Sequence, residues 1–143
     1  MTRRRWILAA LGVVLVIGVA VLAGFYLYFA QKPPAFVAVP DIYRVSPPAG
    51  TDGRNVNYPP NITIDGTPVL VQTDGVDTVQ GRLEARMFVR VGALQGDLAT
   101  QSAGGSYAKG AKIHVGGVTV EILDLWDEPS SENDAVDVRV TKP

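Results

Sequence analysis

A single membrane-spanning helix followed by a small antiparallel all-β domain, a sandwich or barrel of about 6–8 strands, is the fold this sequence predicts. Three observations carry it. Residues 7–30 form an uncharged apolar run. Residues 82–93 alternate apolar and polar side chains with a period of two, which no helical stripe does. Asp65-Gly66 and Gly116-Gly117 each sit between short runs rich in β-branched residues, the mark of a tight hairpin turn.

The run from Ile7 to Ala30 comes first. At ~1.5 Å per helical residue it reaches roughly 36 Å, enough for a bilayer core of ~30 Å. Arg3, Arg4 and Arg5 precede it and no comparable cluster follows it. Cationic flanks stay in the cytoplasm, so the expected topology is N-terminus inside and β-domain outside. Trp6 at one end and Phe25, Tyr26, Tyr28 and Phe29 at the other suit the two interfaces. A cleaved signal peptide is the rival reading. The apolar run exceeds the usual signal core, and a cut after Ala30 places bulky Tyr28 where a small residue is wanted. A cut after Ala23 leaves Phe25 to Phe29 on the mature end. A lipid-modified anchor needs a cysteine, and the chain has none. Ala20 and Gly24 form a small-xxx-small pair that suits a neighbouring helix, although such pairs are common in any span.

The expected organisation is therefore a cytoplasmic stub (1–6), a transmembrane helix (7–30), a Pro-rich spacer (31–40) and an extracytoplasmic β-domain (41–143). The domain is long enough for one hydrophobic core without disulfide staples. The chain carries 13 basic and 14 acidic side chains, net −1. Residues 31–143 hold 10 of the basic and all 14 of the acidic ones, net −4. A mildly acidic domain argues against nucleic acid and anionic headgroups as partners. Arg outnumbers Lys nine to four and Ala, Val and Gly are plentiful, the usage of a GC-rich bacterial genome.

Along the domain, Pro33, Pro34 and Pro40 favour extended backbone in the spacer. Residues 41–45 read as a short strand. Residues 46–61 are turn-rich and read as a long surface loop, a candidate contact surface. Residues 62–71 form a hairpin that pairs Ile64 with Thr67 and Ile62 with Val69. Pro68 lacks a backbone donor, which predicts an edge strand. Asp74-Gly75 reads as a further turn. Arg82 to Ala93 is a strand with Leu83, Ala85, Met87, Val89, Val91 and Ala93 inward. Residues 94–110 read as loop. Residues 112–122 form the second hairpin, with Lys112 facing Glu121 and His114 facing Thr119. The alternation changes phase after Ile122, which a bulge or burial of both faces would explain. Residues 127–134 form an acidic loop, and Ala135 to Thr141 is the last strand, with Val136, Val138 and Val140 inward. A shift of 51 residues superposes the two hairpins. Only three of eleven positions are identical, as any two half-buried hairpins would give. A true repeat would imply a pseudo-twofold sandwich or barrel.

Little in the sequence carries chemistry. His114 is the only histidine and falls on an outward hairpin face. The serines lack a nucleophile-elbow context, and no glycine-rich loop opens a soluble helix. Asp124, Asp127, Glu128, Glu132 and Asp134 cluster in sequence and supply the oxygen ligands that calcium takes, without EF-hand spacing. Trp126 lies at the base of this loop. It reads as a lid on the core or, with Tyr107 and Tyr58, as an aromatic platform for a sugar or a partner side chain. The Asn61-Ile62-Thr63 acceptor triplet has no bearing in a bacterium.

The expectation is a non-enzymatic interaction module, an accessory or assembly subunit of a bacterial envelope complex. It needs no cofactor, is integral to the cytoplasmic membrane, and binds an unidentified envelope protein, with self-association left open. The alternative is a domain that binds envelope glycan or calcium.

Overall fold

The computed structural model describes residues 3–48, 59–92 and 100–143. Tyr58, Ala93 and most of the 46–61 loop lie outside them. The chain divides into two units, Met1–Gln31 and Lys32–Pro143. The first is one helix, α1 (Arg3–Phe29), whose Ala10–Phe29 segment is long and apolar enough to cross a membrane. Its described side chains are exposed, as a helix solvated by lipid requires.

The second unit is a sandwich of two antiparallel sheets, not closed into a barrel. Its strands are β1 (Ile42–Val45), β2 (Ile62–Ile64), β3 (Thr67–Val79), β4 (Arg82–Val91), β5 (Gln101–Ala108), β6 (Lys112–Val115), β7 (Val118–Trp126) and β8 (Ala135–Thr141). One sheet has the order β1-β8-β7-β6 and the other β2-β3-β4-β5. β-branched side chains from both inner faces fill the core, among them Val71, Val89, Val120, Ile122, Val138 and Val140.

Moving four strands along the chain converts either sheet order into the other. β2-β3-β4 and β6-β7-β8 are matching meanders, and β1 and β5 each flank the last strand of the other half. The topology is therefore pseudo-twofold. Val71 faces Val89 and Ile122 faces Val138, so the hairpins are offset by 51 residues and the third strands by 49.

Three hairpins turn through two residues with positive φ, the geometry that matches strand twist: Asp65-Gly66, Gln80-Gly81 and Gly116-Gly117. The pairings Ile64–Thr67, Ile62–Val69 and Val115–Val118 follow as the turn chemistry predicts. The middle hairpin corrects the reading of Asp74-Gly75 as a turn. β3 runs straight through those residues, and the register shifts between Thr73 and Gly75. The extra residue, Asp74, points outward and passes the inward role from Val69, Val71 and Thr73 to Val76. β7 carries the same device, with its shift between Ile122 and Asp124, after which Leu125 packs on the core.

Three further expectations are corrected. Pro68 does not mark an edge, because β3 lies between β2 and β4. It is tolerated because it stands at the end of the β3–β4 ladder, where its carbonyl accepts the Gly92 N–H at 3.0 Å and only its missing donor is lost. Residues 101–108 are not loop but the full strand β5. Leu83 is 41% exposed rather than inward, because it lies near the β3–β4 turn, beyond the reach of the opposite sheet.

Gly116 packs under the other sheet: a Cβ there would lie 2.8 Å from Val91 Cβ, whereas one on Gly117 would meet open space. Both positions have positive φ, so alanine at either costs ~1–2 kcal/mol of backbone strain. Only Gly116→Ala adds an overpacking cost of roughly 1–3 kcal/mol. Chemical denaturation of the two variants should therefore rank Gly116→Ala below Gly117→Ala; equal losses would contradict the packing.

Candidate functional site

Two polar clusters stand out, and each ties a loop or spacer to the sandwich. The first centres on Asp134, 1% exposed at the entry to β8. Its Oδ2 accepts the Val76 N–H at 2.9 Å and its Oδ1 the Glu128 N–H at 2.9 Å. The β3 bulge prepares this contact. Gly75 N–H donates to Thr73 Oγ1 at 3.2 Å, and Oγ1 donates to the Arg86 carbonyl at 3.0 Å. A Cβ on Gly75, whose φ is +142°, would sit 3.3 Å from Asp134 Oδ2, a tight contact that glycine avoids. Burial pushes the Asp134 carboxyl above its ordinary value, outweighing the two N–H donors; Asp127 and Asp77 push the same way.

The second cluster centres on Arg44 of β1. Its Nε and Nη2 donate to Asp137 Oδ1 and Oδ2, each at 2.7 Å, a bidentate fork across the β1–β8 pair. Its Nη1 donates to the Pro34 carbonyl. The guanidinium carbon lies 5.2 Å from the Phe36 ring centre and 5.7 Å from that of Trp126. The Pro-rich stretch is thus fastened to the domain by one side chain. Beside it opens a cavity of about 350 Å³ lined by Lys32, Pro34, Phe36, Arg44, Glu132 and Asn133, among others.

The five loop carboxylates do not converge. Asp134 faces inward with both oxygens engaged, and Asp124 pairs with Lys109. Glu128 contributes its backbone to the Asp134 cluster, and Asp127 is exposed. Among the described residues no group of three or more His, Cys, Asp and Glu side chains is placed to hold a metal. The aromatic residues are likewise apart. Trp126 ends β7 in one sheet, with its ring beside Arg44 and its Nε1 buried without a partner. Tyr107 belongs to β5 in the other sheet, half-buried, its ring over Gly105. His114 Nδ1 lies 2.9 Å from Thr119 Oγ1, across the hairpin. Glu121 lies 3.1 Å from Arg139 and 4.0 Å from Lys112.

Arg44, Phe36 and Asp137 were not legible as a site. Arg44 and Asp137 are 93 residues apart, and neither stands in a motif. No family model, curated protein or solved structure matches the chain.

Two predictions follow from these clusters. Between the ordinary carboxyl value of 3.8 and the raised one, the folded chain holds a proton on Asp134 that the unfolded chain has released. Stability therefore falls as pH rises through that window and is level above it. Asp134→Asn should lack this falling segment and lose roughly 1–3 kcal/mol at neutral pH, because its amide cannot accept from both N–H groups. Melting curves across pH read both effects. For the second cluster, Arg44→Lys keeps the charge but not the fork. It should cost roughly 2–3 kcal/mol and open residues 33–38 to proteinase K, while an Asp65→Asn control leaves that segment protected. Unchanged cleavage in Arg44→Lys would show that the spacer is held by something else.

Proposed function

We propose that this chain is a membrane-anchored, non-enzymatic interaction module. It displays a rigid β-sandwich at the outer face of a bacterial cytoplasmic membrane, as an accessory or assembly subunit of an envelope complex. The observation that carries the reading is how few residues separate the helix from the first residue held to the sandwich. A helix able to cross a membrane ends at Phe29, and by Pro34 the chain is already pinned to the sandwich through Arg44. A long tether would suit a domain that searches for distant ligands; a short one suits docking on a neighbour in the same membrane.

The polar side chains of the domain support the same reading. Among the described residues the most deeply buried carboxylate, Asp134, is spent on backbone donors, and the Arg44 guanidinium on Asp137 and Pro34. The glycan and calcium alternative has no comparable support, since the Trp126 ring is occupied by Arg44 and the loop carboxylates diverge. The arginines at residues 3–5 favour an N-terminus inside.

Affinity purification of the tagged full chain from gently solubilised native membranes, followed by mass spectrometry, tests the proposal. A second protein in stoichiometric amount is the expected result. Recovery with no other protein, at tag levels where known membrane complexes survive, would overturn it.

A further inference from the structure

A sandwich of two open sheets has four edges, and here three are closed to pairing. β1 is four residues long, turned back by the Val39–Ile42 bridge and pinned through Arg44. β2 is three residues long and follows Pro59-Pro60. β6 is four residues long and carries Lys112 and His114. Short strands, prolines and charges are the usual protections of an edge. β5 has none of them: it is eight residues long and reads Gln-Ser-Ala-Gly-Gly-Ser-Tyr-Ala, without charge or proline. Apart from its ladder with β4, its segment 102–107 makes no backbone hydrogen bond among the described residues. Ser102, Gly104, Gly105 and Ser106 are exposed.

The side chains around this edge are arranged to leave its backbone open. Ala103 and Tyr107 pack inward, so Ser102, Gly104 and Ser106 share the outer face. Phe88 of β4 lies opposite Gly104 and is 40% exposed; its Cδ2 is 3.7 Å from where a Cβ on Gly104 would be. An aromatic ring over an edge glycine preserves strand order while no side chain obstructs the edge.

The geometry points to a second copy of this chain as the occupant: β5 pairs antiparallel with β5 of another copy about a twofold axis at Gly104, joining two four-stranded sheets into one of eight. Facing residues in such a pair must share a face of the sheet. Centring on Gly104 sets Ser102 against Ser106 and Ala103 against Gly105, small against small and hydroxyl against hydroxyl. A strand that pairs with itself brings every charge against its own kind, and β5 alone among the longer strands carries none. The two Phe88 rings then flank the paired glycines and give the centre of the seam an apolar cover. Copies anchored in one membrane meet at high effective concentration, so a single strand pair suffices where it would not in solution.

The chain has no cysteine, so introduced thiols report without background. Facing Cα atoms in an antiparallel pair lie ~4.5–5.5 Å apart, within the span of a disulfide. Full-length Ser102→Cys/Ser106→Cys, oxidised mildly in native membranes, should convert to a disulfide-linked species of twice the mass. Ser102→Cys alone should not, because residue 102 faces residue 106. Lys112→Cys/His114→Cys on the β6 edge should also stay monomeric. In the unmodified chain, Ser106→Lys should abolish the dimer seen by chemical cross-linking at an unchanged melting temperature. The proposal is overturned if the double variant stays monomeric, if the β6 variant links equally, if the double variant joins to a different protein, or if Ser106→Lys remains dimeric.

Discussion

The carboxylate of Asp134 is the contact on which the sandwich depends. It stands where β8 begins, yet it accepts from Val76 in the opposite sheet and from Glu128 in its own loop. A buried carboxylate is costly unless its oxygens are met, and an N–H turned out of a ladder is costly unless it finds an acceptor. Here the two N–H donors meet both oxygens and offset part of the burial cost, which still holds the carboxyl above its ordinary value. The β3 bulge, Thr73 and Gly75 all serve that exchange: the bulge frees the Val76 N–H, the hydroxyl secures the bulge, and the glycine leaves room. The contact also fixes the acidic 127–134 segment, whose remaining carboxylates are held where that backbone puts them rather than gathered on an ion.

The same economy appears at Arg44. A guanidinium offers five donors in a plane, and this one uses three while its face meets aromatic rings. A lysine would supply the charge without the plane. One strand of four residues thereby holds the last strand, the spacer and Trp126 together. Trp126, which reads as part of a recognition surface in the sequence, lies against Arg44 in this joint.

What the sequence made legible was whatever rests on local period and turn chemistry. Alternation located β4 and β8, Asp-Gly and Gly-Gly located two hairpins, and of the two explanations for the loss of phase after Ile122 the structure shows the bulge. Some of the failures have equally local causes. Gln80 adopts a left-handed conformation that favours Asn, Asp or Gly, so the middle turn gave no signal, while Asp74-Gly75 gave a turn signal for a bulge. β5 lacks β-branched residues, so no propensity marks it; the partner strand β4 and the Tyr107 anchor order it instead. The Arg44 joint depends on residues brought together by the β1–β8 pairing, which no window of sequence contains. The helix was legible from length and apolarity alone.

The pseudo-twofold topology sharpens where the two halves differ. β1 and β5 are equivalent strands, each entering at the edge of the other half's meander. In an idealised pair of halves they would carry equivalent side chains. Instead β1 is short and locked by an arginine fork, and β5 is long, neutral and rich in glycine. Each strand flanks a meander whose middle strand is bulged and whose inner face is apolar, although the residues on the two faces differ. Glycine within a strand costs roughly 0.5–1 kcal/mol against alanine, and β5 bears that cost twice in succession. One edge is thus closed by the fork that also holds the Pro-rich spacer to the domain. Its twin, among the described residues, pairs only with β4, and the acceptance of another strand would offset the cost of its glycines.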